Sequence, residues 1–212
     1  SAHIVPEHPA QFVWLRRLGI PIHFVVYDLL PLQRPECFDP RVVNLFRAWY
    51  GSVADLADRV LCISRAVADE FLEWLDEYAP DRETPVDVGY FHLGADIASG
   101  AIEQGAHPLG GRRYALMVST LEPRKGYVQA LDAFEQLWAD GDDLALVIVG
   151  KQGWLMEALV ERIRAHPEFG HRLHWFAGID DDTLVTLYGH ALFLLSASEG
   201  EGFGLPLIEA SQ

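Results

Sequence analysis

An α/β class with doubly wound parallel sheets is predicted by three observations. Short apolar segments rich in β-branched residues recur along the chain. Helical patterns with apolar residues at 3.6-residue spacing lie between them. A small-residue, Gly-rich stretch, Ala98–Gly111, interrupts the order, after which strand and helix alternate afresh. Near-continuous apolar strands separated by amphipathic helices imply parallel sheets covered on both faces. The interruption puts a domain boundary near residue 105, giving domains 1–105 and 106–212.

Taken in order, the expected strands are Ile22–Tyr27, Arg59–Ile63, Val86–Phe91, Tyr114–Ser119, Leu144–Val149, Leu173–Phe176 and Leu192–Leu195. A helix near Pro40–Leu56 is expected to bury Val42, Leu45, Phe46, Trp49 and Val53. Ser64 is a good N-cap for a second helix burying Val67, Phe71, Trp74, Leu75 and Tyr78. The third, Gly126–Ala139, places Tyr127, Ala130, Leu131, Phe134 and Leu137 on one face, and the fourth, Gly153–Ala165, places Leu155, Leu159 and Ile163. The first strand arrives late and Gln212 falls in a helix barely begun, so both domains read as incomplete.

Composition narrows the function. Half of the 212 residues are hydrophobic and 22% are charged, the profile of a soluble globular protein. With 31 acidic against 16 basic residues the net charge is −15, which disfavours nucleic acid and anionic lipid as general partners. An anionic small substrate would need a local basic cluster or exposed backbone N–H groups. Cys37 and Cys62 fit no zinc spacing and read as reduced thiols of a cytoplasmic protein. No apolar run approaches the roughly 20 residues of a membrane span.

In open parallel sheets, ligands bind beyond the carboxyl ends of the strands, so the segments just after each strand carry the chemistry. The last strand leads into Ser196-Ala-Ser-Glu-Gly-Glu-Gly-Phe-Gly-Leu-Pro206. Gly202 and Gly204 let the backbone turn tightly, Pro206 suits a first helical position, and Glu209 is expected in the first turn. A strand, a glycine loop and a helix start suit a diphosphate, and ionised carboxylates accept hydrogen bonds from sugar hydroxyls. An ordinary glycine turn with Glu209 complementing the helix dipole fits the same residues.

After the strand that opens the second domain comes Val118-Ser-Thr-Leu-Glu-Pro-Arg-Lys-Gly126, whose Arg124 and Lys125 are the local positive charge an acidic protein needs. After the next comes Ile148-Val-Gly-Lys-Gln-Gly-Trp154, where Lys151 is either a ligand contact or a surface lysine on a glycine turn. Asp28, after the first strand, either orients an acceptor or caps the following turn.

The segment EGFGLPLIE, with Glu201 and Glu209 separated by seven residues, resembles the signature of retaining GT-B glycosyltransferases of the large sucrose-synthase and mannosyltransferase family. EPRKG, IVGKQGW, HFVVYDLLPLQRP and ADRVLCISR are similar to further segments of that family, so the resemblance runs from about Pro21 to Gln212. It implies two Rossmann-like domains facing each other across a cleft, an acceptor-side domain first and a nucleotide-sugar domain second. It implies that Glu201 contacts the donor hexose and Glu209 the ribose. Gly202, Phe203, Gly204 and Leu205 would meet the donor phosphates or sugar, with Arg124, Lys125, Lys151 and Thr120 beside the diphosphate and Phe176–Ile179 near the nucleobase. Many members carry an arginine where this chain has Ser119 and Thr120, and a histidine where it has Tyr27. Tyr27 and Asp28 are the acceptor-side candidates; a tyrosine hydroxyl is a donor at neutral pH rather than a ready base.

With no HExxH motif, no Ser-His-Asp order, and His166, His171 and His174 at spacings that fit surface or capping roles, no metal or other cofactor is expected. Backbone dipoles and basic side chains would stabilise the leaving diphosphate. The expected activity is transfer of a hexose with retention from a nucleotide diphosphate sugar to a glycan or lipid-linked acceptor. GDP-mannose is favoured because EPRKG with VYDLLPL resembles bacterial surface-polysaccharide mannosyltransferases. The expected location is the cytoplasm, at the inner membrane face if segments outside this sequence associate peripherally. The competing readings are a non-catalytic module of the same fold that binds a sugar nucleotide or a partner, and a nucleotide-sugar epimerase, which would not be expected to carry EGFGLP.

Overall fold

The computed structural model describes residues 7–81, 85–94 and 107–211. They form two compact units: residues up to Gly94 together with Glu201–Phe203, and the rest up to Gly200 together with those from Gly204 onward. The boundary expected near residue 105 lies outside the described residues.

The first unit carries a three-stranded parallel sheet, β1 (His23–Val26), β2 (Arg59–Cys62) and β3 (Asp87–Tyr90), in that order. Two helices that were not expected, α1 (Pro9–Arg17) and α2 (Leu30–Gln33), flank β1, the second with only four residues. Helix α3 (Pro40–Leu56) starts where Asp39 accepts from the Arg41 backbone N–H at 2.8 Å, with Pro40 at its head. Helix α4 (Arg65–Tyr78) starts on the Ser64 hydroxyl, which accepts from the Val67 N–H at 3.2 Å. Phe24, Val26, Val60 and Cys62 bury against Tyr50, Val53, Val67 and Phe71 of these helices. The α3 stripe is turned from the one expected: Val43 and Tyr50 are buried while Val42 is exposed, because the Tyr50 hydroxyl reaches inward to the Asp28 carbonyl. Tyr78 is also exposed, its ring stacked on Trp74.

The second unit has a four-stranded parallel sheet in the order β6 (Leu173–Phe176), β5 (Ala145–Val149), β4 (Tyr114–Val118), β7 (Phe193–Leu194). Alternate strand residues divide between two cores. Ala115, Met117, Leu146 and Ile148 pack with α5 (Tyr127–Ala139) and α6 (Glu157–Ala165). Tyr114, Leu116, Val147 and Val149 pack with α7 (Asp181–His190). Helix α7 is capped by Asp180, which accepts from the Thr183 N–H at 2.8 Å, and Asp181 and Asp182 favour its positive end. Two expected core residues are corrected. Leu137 is exposed and Trp138 is buried, its indole N–H donating to the Leu144 carbonyl at 2.8 Å. Leu155 is exposed with φ 57° and precedes α6, which begins at Glu157 rather than Gly153.

The chain runs β4 to β5 to β6 in one direction and then returns to the other side of β4 with β7. The winding reverses between β4 and β7, and such a reversal is where an open α/β sheet leaves a crevice at its carboxyl end. Among the described residues no helix is long and apolar enough to cross a membrane.

Candidate functional site

In the second unit the loops after β4, β5 and β7 are knitted together at that carboxyl edge. The Ser119 N–H donates to the Val149 carbonyl at 3.1 Å, Leu121 N–H to Lys151 at 2.9 Å, and Gly153 N–H to Leu121 at 2.9 Å. These bonds need backbones closer than any side chain allows. A Cβ on Gly150 would lie 1.8 Å from the Ser119 carbonyl oxygen, and one on Gly126 would lie 2.2 Å from that of Ala197. Glycine at these two positions is a packing requirement.

The EPRKG segment grips the loop that follows β7. Glu122 is the one buried charged residue among those described, at 8% exposure. Its Oε2 lies 3.0 Å from a terminal guanidinium nitrogen of Arg124, and the other terminal nitrogen donates to the Gly200 carbonyl at 2.8 Å. The Arg124 carbonyl in turn accepts from the Glu199 N–H at 2.8 Å. Arg124, expected to face a diphosphate, thus has a carboxylate beside it that compensates its charge and a backbone oxygen that it holds. Lys125 follows it in the short 3-10 turn Pro123–Lys125, and Lys151 is exposed just beyond β5. Thr120 is exposed, whereas the Ser119 hydroxyl lies 2.7 Å from that of buried Tyr127.

The two glutamates of EGFGLPLIE have different settings. Glu201 is exposed and belongs with Gly202 and Phe203 to the first unit. There the Gly202 carbonyl accepts from the Ser64 hydroxyl at 2.7 Å, and a Cβ on Gly202 would lie 2.2 Å from the Tyr27 carbonyl oxygen. Ser64, expected as an N-cap, therefore also fastens this segment. Gly204, left-handed at φ 81°, opens α8 (Leu205–Glu209), with Leu205 ahead of Pro206. Glu209 is the fifth residue of this helix, just beyond its first turn, and its Oε2 accepts from the Tyr188 hydroxyl at 2.8 Å.

Of the acceptor-side candidates, Tyr27 is 61% exposed. Asp28 caps the turn after β1: its Oδ1 accepts from the Leu30 N–H at 3.1 Å. His166 pairs with Glu135 at 3.1 Å and His171 with Glu168 at 3.0 Å, in surface and capping roles. No three potential metal ligands cluster among the described residues. Burial pushes the Cys62 thiol up to about 11, and both cysteines are buried. Sequence reasoning missed Tyr188 and the second bond of Ser64, whose partners lie on other elements, and it missed Glu122, whose partner Arg124 is two residues away but whose burial no local pattern marks.

Residues 102–212 match the family model described as glycosyl transferases group 1. The chain is 42% identical over 222 aligned positions to the serotype-specific mannosyltransferase WbdA of Escherichia coli; the match takes in all of this chain and 27% of that protein. It therefore spans about a quarter of the length of the curated relatives it matches. Among solved structures it resembles the α,α-trehalose 6-phosphate synthase of Burkholderia multivorans, with TM-score 0.68, 18% identity, and coverage of 94% of this chain and 50% of the other. It also resembles Anabaena Alr3699/HepE in complex with UDP-glucose, with TM-score 0.67, 18% identity, and coverage of 95% and 54%.

Proposed function

The chain belongs to the group 1 glycosyl transferases, and from that premise we propose that it transfers a hexose from a nucleotide diphosphate sugar to a glycan or lipid-linked acceptor. Mannose from GDP-mannose is the favoured donor and bacterial surface polysaccharide the favoured product class. The observation that carries the reading is the likeness to WbdA along the whole chain, the relative being a serotype-specific mannosyltransferase.

The geometry supports a division of labour. Glu201 would accept from the hexose hydroxyls and Glu209 from those of the ribose, because an ionised carboxylate only accepts. Lys125 and Lys151 flank the carboxyl ends of β4 and β5 and would meet the diphosphate, with Thr120 beside them. Backbone N–H groups of Gly202–Leu205 would add neutral donors that need no reorganisation as charge builds on the leaving phosphate. Arg124 acts chiefly by holding the Gly200 carbonyl, so the residue before Glu201 is set by the EPRKG loop. Transfer with retention forms the new glycosidic bond on the face from which the diphosphate departs. A leaving phosphate oxygen then takes the acceptor's proton, so Tyr27 need not act as a base. No metal is required in this scheme.

Calorimetric titration with GDP, UDP and ADP tests the donor site, GDP being the expected ligand; absence of binding by all three would sink it. In the intact protein, Glu201→Ala should abolish transfer while nucleotide binding persists. Normal turnover would make Glu201 structural. Nucleotide binding with no turnover of any donor by the unmodified protein would favour a non-catalytic binding module.

A further inference from the structure

Tyr188 and Glu209 are 21 residues apart and meet through a 2.8 Å hydrogen bond within the second unit. Only the hydroxyl can donate in this pair when the carboxylate is ionised. Burial first, and then the bond to Glu209, pushes the Tyr188 hydroxyl well above the ordinary tyrosine range, so it stays protonated and donating.

The donor is held firmly. Tyr188 is half-buried against the core formed by Tyr114, Leu116, Val147 and Leu187. Its neighbour Leu187 is buried, and the Leu187 carbonyl accepts from the Tyr114 hydroxyl at 2.7 Å, which ties α7 to the central strand β4. The acceptor is a glutamate side chain on the short stretch Leu205–Glu209, and such a side chain loses substantial rotamer freedom on being fixed. The hydroxyl bond supplies that restraint and uses one oxygen, leaving the other oxygen's lone pairs to accept from a ligand.

We infer that Tyr188 is the positioning residue for Glu209, holding its carboxylate for the ribose hydroxyls of a nucleoside diphosphate without itself touching the nucleotide. This rests on the reading of Glu209 as the ribose contact. It makes ribose recognition depend on how α7 is anchored to the sheet.

The test compares the unmodified protein with Tyr188→Phe in titrations with GDP and with dideoxy-GDP, which lacks both ribose hydroxyls; the uridine pair replaces them if UDP is the nucleotide that binds. The unmodified protein should prefer GDP. Tyr188→Phe should lose about three- to tenfold in GDP affinity, in line with one hydrogen bond, while dideoxy-GDP binding stays nearly constant. The preference for the ribose would then collapse. A variant that weakens both ligands equally, or keeps the full preference, overturns the role of Tyr188 alone. An unmodified protein that binds both ligands equally overturns the ribose role of Glu209 and the inference with it. The ratio is read within one protein sample, so a partly folded variant does not blur it. Glu209→Gln provides the second route: combined with Tyr188→Phe it should lose no more preference than alone, and additive losses would show that the two residues act independently.

Discussion

In the first unit, β1 alternates exposed and buried residues, His23 and Val25 out, Phe24 and Val26 in. In the second, β4 is buried at four of its five positions and β5 at all five. One sheet therefore has helices packed on one face among the described residues, and the other on both. The same contrast reaches the loops. Gly150 at the end of β5 sits where a Cβ would meet backbone at 1.8 Å, whereas a Cβ on Gly89 in β3 would meet only a Leu61 methyl at 3.4 Å. It reaches the ion pairs too. Glu122 and Arg124 have side chains only 10% and 13% exposed, while Arg59 and Asp87, which join β2 to β3, are 50% and 59% exposed. A sheet packed on both faces is a rigid platform, and the loops that carry the proposed donor-binding residues are built on it at close quarters.

The sharpest way to break that contrast is at the glycines. Gly150→Ala forces the ends of β4 and β5 apart and should cost about 4 kcal/mol or more, with loss of nucleotide binding. Gly89→Ala should stay within about 0.5 kcal/mol, as ordinary van der Waals contact allows. Urea denaturation of both variants checks this, and equal midpoints would erase the difference. Next come the strands. Ile148→Ala removes a fully buried side chain and should cost about 3 kcal/mol, against about 0.5 kcal/mol or less for Val25→Ala, which is 42% exposed. Slower amide exchange in β5 than in β1 is the matching observation.

The ion pairs should differ more modestly. Glu122→Ala removes the carboxylate beside the nearly buried Arg124 guanidinium and should cost about 2–3 kcal/mol, and it should weaken donor binding by releasing the loop at Gly200. Asp87→Ala should cost under about 1 kcal/mol. Comparable destabilisation would mean that burial is not what sets the value of these pairs. The smallest effect is a pH dependence at the edge of the second unit. Hydrogen bonds from Arg172 and then His171 hold the Glu168 carboxyl down at about 2, well below the ordinary glutamate range. A depressed acid contributes stability above its unfolded value that is lost as pH falls toward the folded one. Thermal midpoints between about pH 5 and 2 should therefore fall less steeply in Arg172→Gln than in the unmodified protein.

Much of this architecture is legible in the chain itself. The run Ala145–Val149 is apolar at every position, and only a strand covered on both faces tolerates that. Ser64, placed before an apolar helical stripe, announces an N-cap, and it is one. Phase is harder to read. Val42 and Val43 are adjacent and equally apolar, and what chooses between them is Tyr50, whose hydroxyl finds the Asp28 carbonyl. Leu137 and Trp138 differ likewise: the tryptophan goes inside because its N–H has the Leu144 carbonyl as partner. Asp180 before two further acids was a usable helix start for α7, since each residue there favours the positive end of a helix.

The proposed site divides along the same line. Residue types mark Glu201, Glu209 and the basic pair Arg124 and Lys125 as candidates, and the resemblance of EGFGLPLIE and EPRKG to segments of a known family sets them apart from an ordinary glycine turn. What those side chains are tied to is decided by the fold. Arg124 holds Gly200 across 76 residues, Ser64 holds Gly202 across 138, and Tyr188 reaches Glu209 across 21. Local sequence determines which strands and helices form, since periodicity and caps act within a few residues. Only tertiary structure determines these partnerships, because they depend on the order in which the strands lie side by side and on how closely glycine lets their loops approach.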